Sequence, residues 1–223
     1  MRVDIITGFP KLLKSPLNES IIRHAKKSKL VQIKVHDLRK YAHDKHRTID
    51  DTPYGGGGGM VLKPEPIFEC VESLKGKRLY DEIIYLTADG ELFDQKIANQ
   101  LSLKNTLMFL CGHYKGVDER VREKLITKEI SIGDYVLTGG EIAALVVVDS
   151  ILRLIPGVLG NSESMLTDSF QDNLLGNPCY TKPVEYRTMR VPDVLLKGDH
   201  KKIEGWRQMK RLERTKVRRK DLL

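Results

Sequence analysis

Two glycine-punctuated stretches about twenty residues apart, Leu110 to Gly116 (LCGHYKG) and Glu129 to Glu141 (EISIGDYVLTGGE), combine bare backbone with a tyrosine each, Tyr114 and Tyr135. Each follows or contains a strand-like apolar run, Thr106 to Cys111 or Ile130 to Leu137, and ends in glycine just before a helical pattern. In open α/β sheets ligands bind beyond the carboxyl ends of strands, where glycine lets the chain turn tightly and approach the ligand closely. The competing reading is that these glycines only make turns. A third stretch, the run Gly55 to Gly59 after Pro53 and Tyr54, offers peptide N–H groups with no side chains in the way. Such a run suits close approach to a planar base or a phosphate, and a flexible connector is its alternative reading. His43, Asp44, Lys45, His46, Arg47, Asp50 and Asp51 precede it. An acid, Asp168, stands in a stretch rich in Ser, Asn, Asp and Gly. No Walker A sequence, G-x-G-x-x-G, H-E-x-x-H or recognisable Ser/His/Asp spacing occurs, which disfavours NTP hydrolysis, standard dinucleotide binding and zinc-protease chemistry.

These loops need strands and helices to hold them. Arg2 to Gly8 reads as a buried strand, and Leu12, Leu13, Leu17, Ile21, Ile22 and Ala25 follow a helical period. Val31 to Asp37 alternates as a strand, Leu38 to Met60 reads as a long loop, and Pro64 to Leu74 as a helix with Pro66 in its first turn. A strand at Glu82 to Thr87, a helix at Phe93 to Leu103, the two organising strands with a helix at Asp118 to Ile126 between them, and a helix from Gly140 to about Ile155 complete the pattern. This alternation predicts an α/β domain with a mostly parallel sheet. Three domain segments are expected: 1–158, an interdomain linker at 159–178 rich in Ser, Asn, Asp and Gly, and a basic helical domain at 179–223.

The chain has 223 residues, 40 % of them hydrophobic, and a formal net charge of +8. That charge is a property of the tail: Lys197 to Leu223 holds eleven Lys/Arg against four Asp/Glu, leaving 27 basic and 26 acidic residues before it. Within the tail, Arg207, Lys210, Arg211, Arg214 and Arg218 recur at helical spacing, with Trp206, Met209 and Leu212 beside them. A phosphate-backbone surface is the expectation, against a plain solvated helix. Cys70, Cys111 and Cys179 are widely spaced and odd in number, so neither a disulfide framework nor a zinc site is suggested. Asp4 interrupts the first apolar run, and Asp149, Arg153 and Pro156 interrupt Ile142 to Leu159 before the about 20 apolar residues of a spanning helix accumulate. A soluble, cytoplasmic protein is expected.

Several motifs resemble those of the bacterial tRNA (guanine-37-N1)-methyltransferases of the knotted SPOUT superfamily. They are Thr7 to Pro10, Asp50-Asp51 followed by Pro53 to Gly57 and Gly59-Met60, Lys63 to Glu65, Cys111-Gly112 with Gly116 to Val121, and Ile130 to Leu137 with Gly139 to Glu141. Ile155 to Leu159, Asp168 to Phe170 and Tyr180 to Pro183 extend the match over nearly the whole chain. The resemblance implies an α/β domain whose C-terminal part is tied in a trefoil knot, a small helical C-terminal domain, and a homodimer whose active sites are shared between subunits. It implies S-adenosylmethionine as cofactor, held by Tyr85, Leu86, Thr87 and Ala88, by Gly112, Tyr114 and Gly116, by Ser131, Ile132, Gly133, Asp134, Tyr135, Val136 and Leu137, and by Gly139 and Gly140. It makes Asp168 the catalytic base and Arg153 its partner. It assigns tRNA to the tail cations and to His46, Asp50, Gly55, Gly56, Gly57, Gly58 and Gly59. Family activity is linked to magnesium, for which no ligand residue is named. The chain departs from the family's usual form at Lys115, where an acid is common, and at Gly58 and Ala143, where proline is frequent. A non-catalytic RNA-binding protein retaining the fold, or a related methyltransferase acting on ribosomal RNA, is the alternative.

Overall fold

Val3, Ile5 and Ile6 are buried on both sides of the first strand, β1 (Arg2–Thr7), as a strand needs to be at the centre of a sheet covered on two faces. β1 lies between β2 (Gln32–Asp37) and β6 (Thr106–Cys111), and β6 is followed outward by β5 (Glu82–Leu92) and β7 (Lys128–Ser131). All four pairings in this five-stranded sheet are parallel. The computed structural model describes residues 1–159 and 168–223. The chain divides into two compact units, Met1–Gly160 and Asn161–Leu223.

Side chains alternate across the sheet and supply two cores. Val3, Ile5, Ile84, Leu86, Leu107 and Phe109 pack on one face with helices α1 (Lys11–Lys14), α2 (Ser20–Lys27), α4 (Gln95–Ser102) and α6 (Gly140–Leu152). On the other face, Ile6, Ile83, Met108 and Leu110 pack with α3 (Pro64–Lys75) and α5 (Glu119–Leu125). This is a three-layer α/β/α arrangement. The helical period expected from Leu12 to Ala25 is broken into α1, a single 3-10 turn at Pro16–Asn18, and α2. Pro16 cannot donate to the preceding turn, and Ser20 adopts a φ of 48°.

The stretch read as a long loop contains a hairpin. β3 (Asp50–Asp51) and β4 (Val61–Leu62) pair antiparallel, so the glycine run is the tip of a β-ribbon. β5 runs on beyond Thr87 to Leu92, with a register shift against β7 between Leu86 and Glu91. β7 ends sooner than its apolar run: Val136 is 89 % exposed, in a loop that begins after Ser131.

The second unit holds a short antiparallel pair, β8 (Glu185–Tyr186) and β9 (Met189–Arg190), and the long helix α7 (His200–Arg218), capped by the Asp199 side chain accepting from the Lys202 amide. The described part of the segment expected to be a linker packs on α7. Arg211 Nη1 donates to Asp172 at 2.8 Å, and the Leu175 amide donates to Thr215 Oγ1 at 2.9 Å. Of the linker, 160–167 lie outside the described residues. No helix among the described residues is long and apolar enough to cross a membrane.

Candidate active site

The chain runs from β5 inward to β6 and then back past β5 to β7, so the carboxyl ends of three adjacent strands surround one opening. Such a reversal of strand order is where open parallel sheets form crevices. A cavity of about 300 Å³ lies there, within the size range of small-ligand sites. Three loops line it: Tyr85 to Ala88 after β5; Gly112 to Gly116 after β6; and Ser131, Ile132, Gly133, Tyr135, Val136 and Leu137 with Gly139 and Gly140 after β7. Every residue expected at the cofactor except Asp134 is thus brought to one place. His113, Lys115, Ile130, Thr138 and Ala143 line it as well.

Backbone approach explains the residue types. A methyl group on Gly140 would lie 2.9 Å from Cys111 Cα and 3.1 Å from the Gly112 nitrogen. Its own amide donates to the Gly112 carbonyl at 2.8 Å, which fastens the start of α6 to the loop after β6. On the other side, Leu62 of β4 donates to the Gly116 carbonyl at 3.0 Å and accepts from the Asp118 amide at 3.0 Å. The glycine hairpin is therefore stitched to the same loop. Tyr85 closes the cavity floor; burial pushes its phenol above the usual range, and the Arg122 guanidinium lies 5.7 Å from its ring centroid. Arg122 in turn binds Glu129 and, through Asp89, the hydroxyl of Thr87.

Beside the cavity, Glu141 is 2 % exposed and accepts from the Thr7 hydroxyl at 2.5 Å. His113 Nδ1 is 3.9 Å from the other Glu141 oxygen and is buried with no hydrogen-bond partner among the described residues. Its ring stacks on Phe9 with centroids 4.2 Å apart. Nothing local in the sequence distinguishes His113 or Glu141, because their partners, Phe9 and Thr7, lie just after and at the end of β1, over a hundred residues away.

A family model described as tRNA (Guanine-1)-methyltransferase TrmD matches residues 1–223. The chain belongs to the tRNA (guanine-1)-methyltransferase family. Similar relatives named tRNA (guanine-N(1)-)-methyltransferase come from Christiangramia forsetii, 57 % identical over 223 residues and covering 100 % of this chain and 99 % of the relative; from Bacteroides fragilis, 55 % identical with the same coverage; and from Chlorobaculum tepidum, 54 % identical, covering 100 % of this chain and 97 % of the relative.

For a tRNA (guanine-1)-methyltransferase family member, the remaining expected residues fall in two units. Arg153 follows α6 in the first unit and is exposed; Asp168 is half-buried at the first described position of the second. Gly55 to Gly59 and His46 are exposed, and Asp50 is half-buried in β3. On α7, Arg207 and Arg218 are exposed, and Lys210 and Arg214 half-buried. Arg211 departs from expectation: its side chain is only 7 % exposed, turned inward onto Asp172 and the Leu175 carbonyl. Helical spacing put it with the other cations, but the fold-back of 172–176 covers it. Its guanidinium ties the 172–176 stretch to α7 within the second unit. Among the described residues no group of three or more His, Cys, Asp or Glu is arranged to hold a metal ion.

Proposed function

We propose that this chain transfers a methyl group from S-adenosylmethionine to N1 of guanosine 37 in the anticodon loop of tRNA. One observation carries the reading: in a chain matched from end to end by the tRNA (guanine-1)-methyltransferase family, three strand-end loops, with Gly112, Gly116, Gly133, Gly139 and Gly140, converge on one cavity. That lining suits a nucleoside cofactor. Glycine loops offer peptide donors and acceptors to a base and ribose, and Ile132, Tyr135, Val136 and Leu137 offer apolar surface. When bound there, S-adenosylmethionine supplies a sulfonium methyl that needs alignment more than activation.

The protein's own task is the proton. Guanine N1 is protonated at neutral pH, so its lone pair is free only when a base accepts that proton. Asp168 is the proposed base: its carboxylate takes the N1 proton as the new N–C bond forms, and Arg153 orients it and balances charge developing on O6. The proposal includes two copies with shared active sites. In its support, Ile142 and Val146, one turn apart on α6, are 56 % and 42 % exposed on a helix otherwise largely buried. It also includes a knotted C-terminal part of the first domain and an RNA-binding second domain with Arg207, Lys210, Arg214 and Arg218 against phosphates. The reaction belongs in the cytoplasm, with its tRNA. Magnesium is given no protein ligand, because the described residues offer no cluster for it.

The test is methyl transfer from labelled cofactor to tRNA carrying guanosine or adenosine at position 37. Label in N1-methylguanosine with the first and none with the second is expected. Equal labelling of both transcripts overturns the site assignment. A thermal midpoint that does not rise with S-adenosylmethionine overturns the cofactor assignment, since a ligand of the folded state must stabilise it.

A further inference from the structure

Lys115 lies where the cofactor cavity and the glycine hairpin meet. Its backbone is fixed, with the amide donating to the Met60 carbonyl at 3.0 Å, between Tyr114 and Gly116, both of positive φ. From there its side chain runs along the hairpin. A methyl group on Gly59 would lie 3.1 Å from Lys115 Cγ and Cε, and one on Gly57 would lie 3.8 Å from Lys115 Nζ. The glycines are thus the bed for the lysine stem, and the ammonium ends above the exposed tip. Among the described residues the ammonium has no hydrogen-bond or ion-pair partner. An ordered cation beside bare peptide N–H groups is a receptor for an anion.

We propose that Lys115 Nζ, with the Gly55–Gly59 backbone, holds a phosphate of the substrate RNA next to the target nucleotide. The proposal rests on the tRNA reading given above and adds a backbone-positioning contact to it. Charge selects the ligand. Bound S-adenosylmethionine carries a sulfonium and an ammonium against one carboxylate, so a further cation near it gains little, whereas the RNA backbone brings one negative charge per nucleotide. Lys115 is a binding residue that fixes the nucleotide's backbone over the cavity while the base enters.

Lys115→Met keeps the stem on Gly59 and removes the charge, and Lys115→Arg restores it. With methionine, KM for tRNA should rise about five- to ten-fold and the slope of log affinity against log salt should become shallower by about 0.7, the value for one single-stranded phosphate contact. Arginine should recover most of both, and S-adenosylmethionine alone, titrated calorimetrically, should bind the methionine variant within about two-fold of wild type. Unchanged KM and slope overturn the proposal. So does a loss of affinity for free cofactor, which would assign the ammonium to the cofactor carboxylate. Failure of the wild-type chain to methylate any tRNA would instead sink the parent reading, and the salt slope of RNA binding would still judge Lys115.

Discussion

Replacing Gly140 with alanine puts a methyl group 2.9 Å from Cys111 Cα and 3.1 Å from the Gly112 nitrogen, where ordinary contact begins at 3.4 Å. Both neighbours are backbone atoms of β6 and its loop, so no side chain can swing away. The start of α6 and that loop must part by about 0.5 Å, which stretches the 2.8 Å bond from the Gly140 amide to the Gly112 carbonyl. Alanine gains up to about 1 kcal/mol over glycine in a helix, but overpacking against rigid neighbours costs about 1–3 kcal/mol. A net loss of about 1–2 kcal/mol is expected. At a denaturant dependence of about 2 kcal/mol/M in urea, that lowers the unfolding midpoint by about 0.5–1 M. Because the same two loops face the cavity, affinity for S-adenosylmethionine should fall about ten-fold with them. Gly58→Ala is the control: nothing lies within 4 Å of its added methyl, so stability should hold or rise slightly. Urea titration of the three proteins, paired with cofactor calorimetry, reads both effects. A Gly140→Ala protein with wild-type midpoint and affinity would refute the claim that close backbone approach builds this pocket.

Asp168→Asn should leave cofactor affinity intact and lower single-turnover methyl transfer by about 10²–10⁴-fold; turnover equal to wild type removes Asp168 as the base. Replacing Arg207 and Lys210 with alanine should weaken tRNA binding and make its salt slope shallower, whereas Arg211→Ala should loosen the second unit, seen as faster proteolysis between Asp172 and Gly176; a pure salt-slope effect from Arg211 would contradict its inward packing. Burial acts to raise the carboxyl of Asp4, but hydrogen bonds from Arg2, His36 and Tyr80 outweigh it and hold that group well below the carboxylate range. Its stabilisation is therefore full above the unfolded value of about 3.9 and is lost as pH falls below it. Asp4→Asn should cost about 3 kcal/mol at pH 7 and flatten the acid limb of the stability curve; an unchanged acid limb, measured by urea unfolding from pH 6 to pH 3, would show that the network is idle.

The strand and helix order was legible because hydrophobic period and glycine spacing are local signals, and the loops they delimit did meet at one cavity. Boundaries were legible only where a breaker stood. β7 reads through to Leu137 from its apolar letters, yet Tyr135, Val136 and Leu137 are a cavity face, and their exposure follows from the loop that Gly133 opens at a φ of 150°. The inward turn of Arg211 was not legible, because helical spacing says which residues share a face, not what folds over it. The Asp4 network and the Thr7 to Glu141 bond join residues far apart in sequence, and no periodicity encodes such meetings.

The interior position of β1, between β2 and β6, has a consequence for how the protein is made. Its partner on one side, β2, begins at Gln32, but on the other Arg2 must wait for Thr106. At about 5–20 residues per second, that flank of β1 stays open for about 5–20 s of synthesis. During that time a strand of Val, Ile and Ile offers unpaired N–H and C=O groups to any passing chain. That flank of β1 therefore cannot be covered by its own sheet partner until β6 has left the ribosome.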